Sequence, residues 1–123
     1  MKQKTVFLIV LVVLLLDQVS KYAVKATGQY TTNTGIAFGL LPNNNAVFIV
    51  VAIAIIIVLF YYAMKYPSLG LALLLGGASG NLIDRIVLGH VIDFINIGWW
   101  PSFNLADTAN SIGVFLLLFT KKL

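Results

Sequence analysis

Apolar residues fall along this chain in four long blocks, not in the single stripe that a helix lying on a water-soluble core presents. The clearest block runs from Ala46 to Met64, nineteen consecutive apolar and aromatic residues. That is close to the ~20 residues an α-helix needs to cross a ~30 Å hydrocarbon layer. A second block, Val6 to Leu16, continues through Asp17, Gln18, Ser20 and Lys21 to about Val24, and spans only if its outer third faces protein or water. A third, Leu69 to about Leu88, carries Gly76, Gly77, Gly80, Asn81, Asp84 and Arg85 in its second half, and a fourth extends from about Leu105 to Phe119. The pattern predicts an all-α membrane protein, a four-transmembrane-helix bundle with spans at about 5–24, 46–64, 69–88 and 105–119. It forms one integral membrane domain over residues 1–123.

Four spans put both termini on the same side, where Lys2, Lys4, Lys65, Lys121 and Lys122 gather, against Lys21, Lys25 and Arg85 on the other. Positive residues favour the cytoplasmic side, so the five-lysine face is expected there. Tyr61, Tyr62 and Tyr66 then mark the inner interface, and Tyr22, Tyr30, Trp99 and Trp100 the outer one. The outer side also receives the loop 27–45 and the segment 89–104, the two places where irregular backbone can build a site. Composition strengthens the membrane reading: 60% of residues are hydrophobic and 10% charged, against about 25% charged in a soluble domain. The net charge of +4 therefore serves topology, and no nucleic-acid partner is expected. With no cysteine and a single histidine, His90, disulfide scaffolds, thiol chemistry and Cys/His zinc sites are excluded. A cleaved signal peptide ending near Val24-Lys25-Ala26 fits poorly, because Asp17, Gln18 and Lys21 would lie between the apolar centre and the cut.

All four acidic residues are aspartates, Asp17, Asp84, Asp93 and Asp107, and none falls in a cytoplasmic loop on this topology. A charge at the centre of a membrane helix costs roughly 2.5–3.5 kcal/mol on insertion scales, so each needs a partner or a task. Asp17 and Lys21, spaced i, i+4, share a face and can pair. Gly76 and Gly80 form a small-xxx-small pair that admits a neighbouring helix, while Gly77, Asn81 and Arg85 line the adjacent face. Asp84 is expected to pair with Arg85. Asn104, Asp107 and Ser111 form one polar stripe on the fourth helix, and Asp93 closes a short extended segment, Gly89 to Phe94, fourteen residues earlier. That segment can bring Asp93 beside Asp107. Two adjacent carboxyls share a proton near neutral pH, so one can take a proton from water while its partner polarises a carbonyl oxygen.

These residues fall in motifs: Asp17-Gln-Val-Ser-Lys21, Asn33-Thr-Gly-Ile-Ala-Phe38, Gly76-Gly-Ala-Ser-Gly-Asn-Leu-Ile-Asp-Arg85, Val91-Ile-Asp-Phe94 and Phe103-Asn-Leu-Ala-Asp107. In that order they closely resemble the signal peptidase II family. The resemblance implies a membrane aspartyl endopeptidase of the bacterial inner membrane, which removes signal peptides from diacylglyceryl-modified prolipoproteins by cutting before the lipidated cysteine. It implies catalytic roles for Asp93 and Asp107, and supporting or substrate-binding roles for Asn33, Gly35, Asn81, Arg85, Asn104 and Ala106. Asp17 and Lys21 match the first-helix motif. On this reading Asn33 and Arg85 hold backbone carbonyls and Asn104 orients a carboxylate. A lipoprotein substrate, membrane lipids and peptide-antibiotic inhibitors are the implied partners, with no cofactor, no metal and a monomeric state. Only seven residues, 26–32, separate the first helix from Asn33, fewer than the resemblance leads one to expect. The outer β/loop element is therefore expected to be small and trimmed, as in a compact member or a minimised version of the family. Ile36 also stands where the family pattern has alanine.

Other chemistries fit less well. Gly77-Ala-Ser-Gly80 with His90 resembles a rhomboid serine protease motif, but that core needs six helices. Ser20 and Lys21 are sequence neighbours on different helix faces and make no dyad. A His-Glu-x-x-His metalloprotease lacks its glutamate and second histidine. A small transporter using Asp17 would hold its polar groups at the bilayer midplane, whereas here they collect toward one side. A non-catalytic scaffold of the same shape is the remaining alternative.

Overall fold

The computed structural model describes residues 1–35 and 40–120. Ile36, Ala37 and Phe38 of the Asn33 motif, and Lys121 and Lys122 of the basic face, lie outside the described residues. Four helices and two short strands follow one another: α1 (Gln3–Thr27), β1 (Thr31–Asn33), α2 (Asn45–Lys65), α3 (Leu69–Leu88), β2 (Val91–Asp93) and α4 (Leu105–Phe119). The helices fall within a few residues of the predicted spans.

Local chemistry sets the helix ends. Gly28 and Gly89 close α1 and α3 in the left-handed region, at φ 70° and 80°, where a side chain would be strained. Ser68 opens α3 by accepting the Leu71 N–H through its hydroxyl. At α4 the cap is reciprocal: Asn104 accepts from the Asp107 N–H, and Asp107 accepts from the Asn104 N–H.

Helix α3 is the hub. Its glycines let neighbours approach, because a Cβ at Gly76 would strike Val13 of α1, and one at Gly77 would overlap the Asn110 amide and the Ala106 carbonyl of α4. Eight α3 residues are buried, against Ala63 alone in α2. Where the helices meet away from the strands, Val6, Ala63, Ala72 and Leu75 form an apolar cluster. The strands pair antiparallel, with Thr31 opposite Asp93 and Asn33 opposite Val91. That two-stranded sheet is the small β element expected from the sequence.

Three helices are long and apolar enough to cross a membrane, and α4 with fifteen residues is shorter. It spans about 22 Å. Ala106 and Asp107, in its first turn, meet Gly80 and Asn81 of α3. Those residues lie seven or more positions before Leu88, so α4 begins roughly 10 Å below the end of α3. Irregular backbone at such a depth persists where protein covers it or it lines a cavity, and the segment 94–104 meets that condition at the cavity described next.

Candidate active site

Asp93 ends β2 and Asp107 lies in the first turn of α4, yet both line one open cavity of about 710 Å³. Asn33, Asn81 and Arg85 share its polar end, while Val51, Ala52 and Ile55 of α2 supply apolar wall. The predicted convergence of the two aspartates is thus present in the fold.

Asn104 joins them. Its Nδ2 donates to Asp93 Oδ1 at 3.0 Å and to the Ile92 carbonyl at 3.1 Å, and its Oδ1 accepts the Asp107 N–H at 2.8 Å. Asp107 Oδ2 accepts the Asn104 N–H at 3.2 Å, and Asp107 Oδ1 accepts from Asn81 Nδ2 at 3.0 Å. Each Asp107 oxygen thus accepts a donor from the protein. Fully buried Asn104 also donates to Asn81 Oδ1. Burial pushes the Asp93 carboxyl up to about 7, and the nearby charge of Asp107 pushes the same way. Lys21 and hydrogen bonds from Asn104 and Asn33 oppose the rise.

Behind the pair lies a buried cluster. The Lys21 ammonium donates to Asp17 at 2.7 Å, sits 2.9 Å from Asp84, and donates to Asn81 Oδ1 at 3.2 Å. Its three N–H donors therefore have three acceptors. Asp17 Oδ1 accepts the Ala106 N–H at 2.9 Å, and Asp84 Oδ2 accepts the Ile92 N–H at 3.1 Å. Each of these carboxylates holds the backbone one residue before a cavity aspartate. Gln18 ties the two together, donating to Asp17, to Asp84 and to the Gly80 carbonyl.

The i, i+4 pairing of Asp17 with Lys21 is present, but the expected pairing of Asp84 with Arg85 is not. Adjacent residues on a helix point about 100° apart, which aims Asp84 at α1 and Arg85 at the loop before α2. Arg85 donates to the carbonyls of Thr34 and Gly35 and to Asn45 Oδ1, and its guanidinium stacks over Phe48, 5.3 Å from the ring centre. The carbonyls it holds are those of Thr34 and Gly35 in its own chain. Ser111 is exposed on the cavity wall. Sequence reasoning assigned no role to Gln18, Asn45 or Asn110, and gave Asp84 only the pairing with Arg85. For Gln18 and Asp84 the available signal was their place inside the quoted motifs, whereas Asn45 and Asn110 carried none. Ser79 and His90 share no hydrogen bond, and His90 lies in the bend between α3 and β2. Asp17, which a transporter would need open to its pathway, is fully buried.

Comparison with known proteins places this arrangement in context. The family described as signal peptidase (SPase) II matches residues 9–122. The lipoprotein signal peptidase of Moorella thermoacetica is 43% identical, covering 89% of this chain and 87% of that protein. That of Syntrophomonas wolfei is also 43% identical, with 88% and 86% covered. Two solved structures described as bacterial membrane enzymes superpose with TM-scores of 0.84 and 0.82, at 35% and 34% identity. Each covers 94% of this chain, which in turn spans 85% and 90% of theirs.

Proposed function

The chain belongs to the signal peptidase II family, the lipoprotein signal peptidases, membrane aspartyl proteases that process lipoproteins, and from that membership we propose that Asp93 and Asp107 are its catalytic pair. The observation that carries the assignment is their position on one cavity, with Asn104 bonded to both and the Asp93 carboxyl raised to about 7 by burial and by Asp107. Near neutral pH Asp93 then passes between its protonated and ionised forms beside Asp107, so the pair can share a proton. The ionised member takes a proton from a water molecule as that water attacks the carbonyl carbon of the bond before the diacylglyceryl-modified cysteine. The protonated member donates to the carbonyl oxygen, and a proton passes to the cysteine nitrogen as the C–N bond breaks.

The other residues hold this geometry. Asn104 and Asn81 orient the carboxylates, Asp17 fixes the backbone beneath Asp107 through the Ala106 N–H, and Lys21 holds the Asn81 side chain. Asn33 supports Asp93, and Arg85 secures the backbone that follows Asn33 through the Thr34 and Gly35 carbonyls. The apolar α2 wall suits lateral entry of a signal-peptide helix while the diacylglyceryl chains stay in lipid. The protein works as a monomer and one integral membrane domain in the bacterial inner membrane, both termini cytoplasmic, with the site toward the outer face. Peptide antibiotics that mimic the substrate would occupy the same cavity. No step requires a cofactor or metal.

The test is cleavage of a diacylglyceryl-modified prolipoprotein by the purified chain in lipid, beside Asp93→Asn and Asp107→Asn. The parent cuts before the lipidated cysteine, and each folded variant loses about 10²-fold to 10⁴-fold or more in rate. Cleavage that survives both substitutions overturns the assignment.

A further inference from the structure

Arg85 lines the same cavity as Asp93 and Asp107, and both carboxyls, with Asp84, lie close enough to act on its charge. Among the described residues, however, the ion pairs are those of Lys21 with Asp17 and with Asp84. Arg85 closes none. A guanidinium beside two carboxyls ordinarily takes the stronger, charge-assisted bonds that a carboxylate offers, so its restraint has a cause.

The cause lies at the start of α2. Asn45, the first residue of that helix, grips Arg85 twice: its Nδ2 donates to the Arg85 carbonyl at 3.1 Å, and its Oδ1 accepts from Arg85 Nη1 at 3.2 Å. Phe48, one turn further, offers its ring to the guanidinium. The Thr34 and Gly35 carbonyls accept from the same group. Neutral acceptors and an aromatic face thus occupy the donors that a carboxylate would otherwise claim. Lys21, the other cation near the pair, is occupied as fully by its own three acceptors.

The charges around Asp93 show what this restraint protects. Asp107 on α4 and Lys21 on α1 act on it, and Asn104 and Asn33 donate hydrogen bonds to it. On α3, Arg85 shares its cavity and Asp84 holds the N–H of the preceding residue. His90 stands in the bend before β2. Helix α2 carries its one charge, Lys65, at the opposite end, so it brings to this site only the grip on Arg85. An opposite charge within about 4–6 Å favours the ionised carboxylate, and a carboxylate paired with Arg85 has no proton to share. We propose that Asn45 is a positioning residue that, with Phe48, holds the Arg85 guanidinium off Asp93 and Asp107 and so leaves the pair free to share its proton. The inference rests on the assignment of Asp93 and Asp107.

Asn45→Ala removes the grip, whereas Asn45→Asp keeps an acceptor oxygen and adds a charge that binds Arg85 more tightly. Each variant, with isotope-labelled aspartate carboxyls, is titrated in micelles by NMR, the Asp93 signal being identified by its loss in Asp93→Asn. The pH profile for cleavage of a synthetic diacylglyceryl lipopeptide is measured alongside. In Asn45→Ala the Asp93 midpoint falls by about one pH unit or more, and the basic limb of the activity profile falls with it. In Asn45→Asp neither falls. In an Arg85→Gln background Asn45→Ala produces no fall, the signature of an effect that acts through Arg85. Phe48→Leu removes the ring, leaves the amide, and moves the midpoint the same way by less, which supplies the reading if Asn45→Ala does not fold. A midpoint that stays at the parent value in Asn45→Ala and Phe48→Leu, falls equally in Asn45→Asp, or still falls in the Arg85→Gln background overturns the proposal. A midpoint that falls while the activity limb stays in place upholds the grip on Arg85 and strikes the catalytic assignment instead.

Discussion

Helix α2 and the site end of α1, α3 and α4 meet the same requirement, stability in lipid, by opposite means. Along α2 only Ala63 is buried, and residues such as Val50 and Ile57 are 67% and 64% exposed. At the site end Asp17 and Asn104 are 0% exposed, and Lys21 and Asp84 are 2%. Lipid tails are as apolar as leucine, so an apolar side chain gains little by exchanging lipid for protein, and helices associate through small residues and hydrogen bonds. Glycines and a closed polar network clamp α1, α3 and α4 together, while α2 leans on them as a wall. The buried polar contacts are concentrated behind Asp93 and Asp107, while α2, largely exposed, supplies apolar wall to the cavity that both aspartates line.

If that division is right, substitutions should cost according to which region they strike. The largest effect is expected for Lys21→Met, which leaves Asp17 and Asp84 buried together without their cation. Removing one partner of a buried ion pair costs about 3–5 kcal/mol, and thermal unfolding in detergent should show a fall of that size. A shift of less than about 1 kcal/mol, the scale of an exposed pair, would mean that the cluster is not structural.

A smaller effect should appear with pH. Asp93 holds its proton more tightly in the folded protein, at about 7, than at the ordinary 3.8 of an exposed carboxyl. Its contribution to stability is fully present below about pH 4 and is lost as pH rises through about 7. The unfolding temperature of Asp93→Asn should therefore vary less over this interval than that of the parent, and identical slopes would contradict the raised value. The same titration gives activity a bell-shaped pH profile with one limb near neutrality. The smallest effect belongs to the wall. Ile57→Leu exchanges one lipid-facing apolar side chain for another and should leave stability within about 0.5 kcal/mol. A larger loss would show that α2 is held by specific packing.

Much of this was readable from the chain itself. Helix positions follow from continuous apolar runs, which tolerate little ambiguity when the solvent is a bilayer. The segment Val91-Ile-Asp93 could be read as extended, and Asp93 and Asp107 as a convergent pair, because few acidic residues exist and each needs a purpose. The partner of Asp84 was not readable. It depends on the rotation of α3 against α1, which glycine contacts determine and sequence spacing does not. Gln18 and Asn45 escaped for the same reason, since the partners that tie them to other elements lie 40 or more residues away.

The bond from the Ala106 amide to Asp17 joins residues 89 positions apart. A growing polypeptide makes α1 early and the turn bearing Asp107 late, so the first helix must wait in the membrane with one carboxylate oxygen still unclaimed. Until α4 docks, neither the Ala106 amide beneath Asp107 nor the Asn81 donor to its side chain is in place. On the proposed catalytic pair, completion of the fold and onset of activity are then the same event.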